Sequence, residues 1–326
     1  MKKLLLVLLL LAIVAAGVAY SALGAPYAGF EKEAFVDIPP RTGVREIAQL
    51  LQQNGVIRAE WQFLFARSLN QGAVLQAGEY RFDRPMTTRE VFNKIVRGDV
   101  FHYELRIPEG SNMFDIAIAV ENLGLMKSDE FLAVARDPSL IKDLAPSAPT
   151  LEGYLFPSTY RVIRRTTAKE IARQMTGEFR KAWRSAGGQA SDVNRFVTLA
   201  SLVEKETAVP AERPDVASVY MNRLAIGMKL DCDPTTIYAA MLQGRYRGTI
   251  YRSDLDSPHP YNTYRNPGLP PGPIANPGIA SLKAALSPRE TNYIFFVAKP
   301  DGSGGHVFSE TLEQHNEAVR AYRAGQ

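Results

Sequence analysis

Glu206 is the residue whose type and position best suit proton transfer. The pattern predicts a helix over residues 193–207, capped at Ser191 or Asp192 and ended before Pro210. Its apolar residues recur at helical spacing: Phe196, Leu199, Ala200 and Val203. Glu206 falls at the edge of this stripe, where apolar surroundings raise a carboxyl pKa because they disfavour the charged form. Such a carboxyl could act as a general acid near neutral pH. The same pattern is also typical of a boundary glutamate whose carboxylate stays in water.

The other residues capable of chemistry are too dispersed to predict a metal site or a serine hydrolase. The chain has one cysteine, Cys232, so it can form neither an internal disulfide nor a paired-cysteine zinc site. We predict that this cysteine is a small buried apolar residue. No Gly-x-Ser-x-Gly motif is present. The histidines lie far apart, without metal-binding spacing: His102, His259, His306 and His315. The sequence therefore predicts no metal and no cofactor.

The first residues have the pattern of a membrane segment. Lys2 and Lys3 precede an apolar run over residues 4–18, and the next charge is Glu31. This length can span a bilayer core of about 30 Å, and the leading positive charges place the N-terminus in the cytoplasm. We therefore expect an uncleaved anchor with the body exported. The alternative is a signal peptide cleaved near residues 23–25.

Composition predicts ordinary folded domains after this segment. The chain has 326 residues, 46% of them hydrophobic and 22% charged, with a net charge of +4. This length suits about two domains, and the composition excludes wholesale disorder. The basic residues are scattered, so the sequence gives no sign of nucleic-acid binding.

An internal repeat occupies the first exported region. A shift of 69 positions maps Ile38-Pro39 onto Ile107-Pro108, and Gly55 onto Gly124. Each copy predicts a short strand ending at Ile-Pro and then two helices, the first stopped by glycine. The first copy continues into a strand over residues 79–82 and a helix over residues 88–97 with a capping box at Thr87.

These patterns predict an α+β protein with four segments. Residues 1–30 form the cytoplasmic tip and anchor, and residues 31–136 form the membrane-proximal region with the repeat. Residues 137–149 carry three prolines and are predicted to be a linker. Residues 150–326 form a mixed α/β domain that carries Glu206 on a helix and a buried strand near residues 293–297. The membrane-proximal region could be a spacer or a glycan-binding module.

Nine sequence blocks resemble the YceG-like family of endolytic murein transglycosylases. The block around Glu206 reads ASLVEKET at 200–207, and the one before it reads LEGYLFP at 151–157. The others follow in the family's order: VASVYMNRL at 216–224, DPT at 233–235, YNTY at 261–264, GLPP at 268–271, IANPG at 274–278, GHVF at 305–308 and HN at 315–316. The anchor and the membrane-proximal region, which is LysM-like in the family, also have counterparts here. The resemblance therefore covers essentially the whole chain.

The resemblance implies the chemistry. It assigns the acid/base role to Glu206 and implies cleavage of the MurNAc–GlcNAc bond of peptidoglycan with 1,6-anhydro products. It implies a single-pass protein of the bacterial inner membrane that ends growing glycan strands, and it leaves open whether cell-wall synthases are partners. The sequence departs from the family at Ser158, where an acidic residue is frequent, and at Asp231-Cys232, where a glutamine is common.

Four other residues are predicted to bind substrate, each with a structural alternative. Glu152 could orient substrate or Glu206, or could be a structural hydrogen-bonding residue. Asn262 beside Tyr261 could contact sugar, since amides and aromatic rings suit carbohydrate, or could form a turn. Asp233 could contact substrate or cap a helix that begins at Pro234. His306 is a further candidate for the cleft. Residues 267–278 are predicted to form a long ordered loop, which could be a wall of the groove.

Two alternative functions stay open at this level. A hydrolytic muramidase would use Glu206 with a second carboxylate that activates water, drawn from Asp231, Asp233 or Glu212. A non-catalytic cell-wall scaffold would bind glycan through the repeat without cleaving it.

Overall fold

The computed structural model describes residues 2–189 and 191–325. Within them the strands form three two-stranded sheets: β1 (Ala34–Ile38) with β2 (Gly78–Phe82), β3 (Tyr103–Arg106) with β4 (Thr159–Val162), and β5 (Phe295–Ala298) with β6 (His306–Ser309). The helices are α1 (Lys2–Gly24), α2 (Val44–Gln53), α3 (Glu60–Leu69), α4 (Thr88–Arg97), α5 (Met113–Asn122), α6 (Ser128–Ala135), α7 (Ala168–Ser185), α8 (Val193–Glu206), α9 (Arg213–Ala225), α10 (Asp233–Leu242), α11 (Arg252–Leu255), α12 (Ile279–Leu286) and α13 (Leu312–Ala324). The predicted mixture of helices and strands is confirmed.

The chain divides into two units. The first contains the residues up to Tyr103 together with Arg161–Arg165, and the second contains Glu104–Tyr160 together with the residues from Thr166 onward.

The first unit is built around four consecutive elements, in the order β1–α2–α3–β2. Its two strands are antiparallel, with Ala34 opposite Phe82 and Ile38 opposite Gly78. Alternate residues of β1 are buried, so the inner face of the sheet joins the core beneath α2 and α3. The predicted helix after β2 is confirmed as α4, with the capping box at Thr87 and a left-handed C-cap at Gly98 (φ 66°).

The end of α1 belongs to the core of the first unit. Leu23 is 1% exposed and lies in the same cluster as the sheet residues. The Gln62 side-chain amide donates to the Ala22 carbonyl at 3.2 Å, and the Arg89 guanidinium lies 4.7 Å from the centre of the Tyr20 ring. The stretch Val7–Gly24 has a mean hydropathy of 2.3, and it is long and apolar enough to cross a membrane.

The predicted repeat is visible in the elements. Helices α2 and α5 are related by the same shift of 69 positions (44 to 113), and Gly55 (φ 69°) and Gly124 (φ 67°) end the two helices in the same left-handed conformation. The second copy lies in the second unit, however, because the division falls after Tyr103. The predicted grouping of both copies in one region, residues 31–136, therefore differs from the division of the structure.

The segment 137–149 also differs from the predicted linker. It contains a short 3₁₀ turn, Pro138–Leu140, and three buried apolar residues, Ile141, Ala145 and Ala148. Apolar residues that lose their contact with water anchor a segment to its domain. Pro138 begins the 3₁₀ turn, and the segment belongs to the second unit.

Helix α8 is the central element of the second unit. It packs against α9, α10 and α12, and residues 197–203 are all buried. The predicted bounds of this helix are confirmed to within one residue, and Asp192 is its N-cap, although without a side-chain hydrogen bond. Because α8 is enclosed by other helices, its last residue has a fixed position.

Candidate active site

The side chain of Glu206 lies where α8 ends. Thr207 has extended backbone angles, so the chain leaves the helix directly after the glutamate. Glu206 lines a cavity of about 460 Å³ in the second unit. A carboxyl group on the last turn of a buried helix is thus presented to an open space large enough for sugar rings.

Two neutral side chains hydrogen-bond the Glu206 carboxyl group. The thiol of Cys232 donates to Oε1 at 3.0 Å. The hydroxyl of Tyr220 is also a hydrogen-bonding partner of Glu206. Cys232 and Tyr220 are each 1% exposed, so both contacts are shielded from water.

The pKa of Glu206 is raised above its ordinary value. Burial is the largest cause, because it removes water from the charged form. The hydrogen bonds from Cys232 and Tyr220 act in the opposite direction, the charge of Asp233 raises the pKa further, and His306 lowers it. The net effect favours the protonated acid, which is the form that can donate a proton.

The walls of the cavity come from α9, the turn before α10, β5 and α13. Arg223 connects three of these walls, because its guanidinium donates to the carbonyl oxygens of Ile294 at 2.7 Å and Leu230 at 2.8 Å. Tyr264, Phe295 and Phe296 contribute aromatic side chains to the lining, and the ring of Phe295 stacks on that of His315, with the ring centres 5.0 Å apart. The remaining lining residues are Tyr220, Met228, Leu230, Asp231, Asp233, Leu312, His315 and Asn316.

A buried ion pair fixes the last turn of α8. The Glu204 carboxylate accepts a hydrogen bond from Arg213 at 2.9 Å, and the exposed fractions of the two side chains are 5% and 9%. The second oxygen of Glu204 accepts the backbone N–H of Gly278 at 2.9 Å. Glu204 therefore connects α8 to α9 and to the end of the loop 267–278, two residues from Glu206.

Comparison with known proteins gives, over most of the chain, the same family that the sequence motifs resemble. The YceG-like family profile matches residues 36–321. The chain belongs to the YceG-like family. An endolytic murein transglycosylase of Bacillus subtilis (strain 168) is 34% identical over 88% of this chain and 84% of its own length. One of Streptococcus pneumoniae is 28% identical over 90% of this chain, which spans 59% of that relative's length.

A solved structure shares the fold. A YceG-like protein from Listeria monocytogenes superposes with a TM-score of 0.55 at 33% identity, covering 88% of this chain and 99% of that one.

Some residues of the YceG-like motifs line the cavity with Glu206, and others are buried outside it. Asp233 belongs to the first group. Asp233 lines the cavity and accepts a hydrogen bond from the Tyr264 hydroxyl at 2.7 Å. It is the first residue of α10, and Cys232 is the N-cap, so the expected cap at Asp233 is displaced by one residue. Asp231 lines the same cavity in a left-handed conformation (φ 48°), which aspartate adopts more readily than most residues other than glycine.

Glu152 lies outside the residues that line this cavity and has no exposed surface. Its carboxylate accepts the backbone N–H of Met113 at 2.9 Å and the side-chain amide of Asn276 at 2.8 Å. Gly153 beside it has a φ of 87°, and a Cβ atom there would meet Pro273 at 2.4 Å. These contacts favour the structural alternative, in which Glu152 joins α5 to the loop 267–278.

Asn262 and Tyr261 are also buried, at 0% and 8% exposure. The Asn262 amide donates to the carbonyl oxygens of Leu255 at 2.9 Å and Ser257 at 2.7 Å, and its oxygen accepts the backbone N–H of Tyr264 at 3.0 Å. This arrangement favours the turn-forming alternative for Asn262.

His306 is paired with Glu212, a proposed second carboxylate. Its ring Nδ1 lies 2.9 Å from Glu212 Oε2, and its backbone N–H donates to Oε1 at 3.0 Å. Burial acts to raise the pKa of Glu212, but the hydrogen bonds and charge of His306 outweigh it and hold the pKa below its ordinary value. Both oxygens of the Glu212 carboxylate therefore already have a hydrogen-bonding partner on His306.

Sequence reasoning missed the roles of Tyr220 and Cys232. Tyr220 lies in the block 216–224 that resembles the family, but a tyrosine within a helical apolar pattern has the appearance of a core residue. Cys232 was predicted to be a buried apolar residue, and its burial is confirmed. Its contact with Glu206 had one indirect signal, the departure from the family pattern at Asp231-Cys232.

Proposed function

We propose that this chain is a membrane-anchored endolytic peptidoglycan lytic transglycosylase with Glu206 as its acid and base. The observation that carries the proposal is the Glu206 carboxyl group itself: half-buried, raised in pKa and open to a cavity with aromatic walls. The similarity to endolytic murein transglycosylases over most of the chain supplies the substrate class.

In the first step, protonated Glu206 donates its proton to the oxygen that links MurNAc to GlcNAc. The bond between the MurNAc anomeric carbon and that oxygen breaks, and the GlcNAc end leaves with a new hydroxyl group. Positive charge develops on the MurNAc ring as an oxocarbenium-like centre.

In the second step, the C6 hydroxyl of the same MurNAc attacks the anomeric carbon. Its proton passes to the Glu206 carboxylate, which restores the acid. The product is a 1,6-anhydro sugar, and no water enters the reaction. One carboxyl group therefore suffices, whereas hydrolytic glycosidases need a second to activate water or form a glycosyl intermediate.

The carboxylates of Asp231 and Asp233 line the same cavity, and they are the groups that a hydrolytic reaction would require. In the lytic reaction their negative charge would stabilise the oxocarbenium-like centre. The products separate the two reactions, because a hydrolase leaves reducing ends.

The remaining parts of the chain fit the same function. We propose that α1 anchors the protein in the inner membrane with the body outside the cytoplasm. The β1–α2–α3–β2 arrangement of the first unit supports a LysM-like module, which would hold glycan or act as a spacer. Cell-wall synthases that supply nascent strands are the partners that this activity would require.

The test uses the detergent-solubilised full chain and its Glu206→Gln variant on intact peptidoglycan, with released fragments identified by mass spectrometry. Acid/base assistance contributes roughly 10²–10⁴-fold to the rate, so we expect the variant to lose activity by about that factor while staying folded. Fragments with anhydro ends should appear with the unmutated chain. Reducing ends would instead identify a hydrolase, and full activity of the variant would remove Glu206 from the mechanism.

A further inference from the structure

Cys232 is held more rigidly than a buried apolar residue requires. Its backbone N–H donates to the Thr263 hydroxyl at 3.0 Å, and its carbonyl accepts from the Thr235 hydroxyl at 2.6 Å. The two threonine hydroxyls are themselves 2.9 Å apart. This network fixes the backbone at the N-cap of α10, and with it the direction of the thiol.

The thiol is directed at the proposed acid. Cys232 Sγ lies 3.0 Å from Glu206 Oε1. Tyr220, on α9, is hydrogen-bonded with both Cys232 and Glu206. The carboxyl group is thus contacted by two neutral groups from two different elements, and both groups are almost fully buried.

We propose that Cys232, supported by Tyr220, is a positioning residue that holds Oε1 of Glu206 and so fixes the direction in which the carboxyl group presents its proton. This inference rests on the proposed function. Rates of proton transfer depend on the alignment of donor and acceptor, and a carboxyl group rotates about its terminal bond when nothing holds it. The thiol holds Oε1 in place, and with it the plane of the carboxyl group.

The same bond affects when Glu206 is protonated. A neutral donor stabilises the carboxylate more than the acid, so the thiol opposes the rise in pKa caused by burial. The other groups acting on Glu206 are the Tyr220 hydroxyl and the charges of Asp233 and His306. Removal of the thiol leaves these in place, and the Glu206 pKa should rise further.

The experiment compares Cys232→Ala with Cys232→Ser in the detergent-solubilised full chain. Serine keeps a donor at the same position and alanine does not, so the pair separates hydrogen bonding from packing. For Cys232→Ala we expect kcat/KM for anhydro-end formation to fall roughly 10-fold, and the alkaline limb of the pH–rate profile to move up by about one pH unit, the equivalent of one hydrogen bond. Cys232→Ser should stay within about threefold of the unmutated rate without that upward move.

A profile for Cys232→Ala that matches the unmutated chain would overturn the proposal. So would equal losses with alanine and serine, since only the volume of the side chain would then matter. Tyr220→Phe should move the alkaline limb of the pH–rate profile in the same direction as Cys232→Ala.

A second measurement does not depend on substrate. Carbon-13 NMR of glutamate-labelled protein follows the Glu206 carboxyl through a pH titration, and the resonance that disappears in Glu206→Gln identifies it. A higher pKa in Cys232→Ala than in Cys232→Ser supports the contact even if the peptidoglycan assay shows no anhydro ends, in which case the proposed function alone fails. Identical pKa values in the two variants would refute the contact.

Discussion

At the scale of residues, a fully buried glutamate, Glu152, and a half-buried one, Glu206, illustrate two different uses of a carboxyl group. Burial raises the pKa of both, and for Glu152 the value is about 7. Glu206 opens into a cavity, while Glu152 is fully enclosed and accepts hydrogen bonds from Met113 and Asn276. The raised pKa is therefore a sign of desolvation in both cases, and only the geometry separates a proposed acid from a structural tie.

We predict that Glu152→Gln destabilises the fold in a pH-dependent way. The amide group of glutamine would face one of the donors that now bond to the carboxyl group, which costs about 1–3 kcal/mol. The native pKa of about 7 lies above the ordinary value of 4.5. Folding therefore retains a proton that the unfolded chain releases, and the stability that Glu152 contributes is present below pH 4.5 and is lost as the pH rises through 7.

Urea unfolding of both chains at pH 5 and pH 8 measures this effect. The stability difference between the unmutated chain and the variant should be larger at pH 5, and the other titrating groups cancel in the comparison. An equal difference at both values would contradict the prediction. A raised KM without a loss of stability would restore Glu152 to the substrate-binding residues.

The sequence could indicate Glu206 but not its partners. Helical spacing and Pro210 located the end of α8, and thus the glutamate on its last turn. The contact with Cys232 joins positions 26 residues apart through the packing of α8 against α10, and local periodicity carries no information on such a contact. Asn262 illustrates the reverse case, since the sequence left both a sugar contact and a turn open for it, and its side-chain amide donates to backbone carbonyl groups.

At the scale of elements, the position of Glu206 depends on the ion pair that ends α8. Glu204 and Arg213 are both buried, and Arg213 has a second acidic neighbour only at 3.8 Å, Glu109. Removing one partner of a buried pair leaves an uncompensated charge, which costs about 3–5 kcal/mol, whereas replacing both with apolar residues can be neutral.

We therefore predict that Glu204→Ala destabilises the fold by about 3–5 kcal/mol, and that Arg213→Met in the same chain recovers most of this loss. Urea unfolding of the two single variants and the double variant gives the coupling energy. Additive losses would show that the pair has no special contribution. The activity of the double variant should stay below that of the unmutated chain even where its stability is recovered. The reason is that the backbone N–H of Gly278, at the end of the loop 267–278, also loses its bond to Glu204.

Elements were easier to predict than their grouping. The capping box at Thr87, the helix stops at Gly55 and Gly124 and the strand after Gly78 are local signals, and each is confirmed. The division after Tyr103 had no local signal, because the second copy of the repeat has the same pattern as the first. Which neighbours each copy buries is decided by residues distant in sequence.

At the scale of the whole molecule, α1 combines two environments in one helix. Residues such as Leu9, Leu10 and Val18 are about 60% exposed, which is compatible with the proposed anchor. Leu23, five positions after Val18, is buried in the core of the first unit. Cleavage near residues 23–25 would remove that core residue, and this favours an anchor that stays attached.

We predict that the first unit needs the end of α1 for its stability. A chain beginning at Tyr20 keeps Leu23 and the Ala22 carbonyl that Gln62 contacts, while a chain beginning at Pro26 loses both. Loss of a buried leucine typically costs 2–5 kcal/mol, so the amides of β1 and β2 should exchange with deuterium much faster in the shorter chain. Leu23→Ala in the full chain is the matched control, and it should also make the amides of β1 and β2 exchange faster. Both truncated chains lack the apolar run and should leave the membrane fraction. Equal exchange in the two chains would mean that the end of α1 adds no stability to the first unit, and that α1 contributes only the anchor.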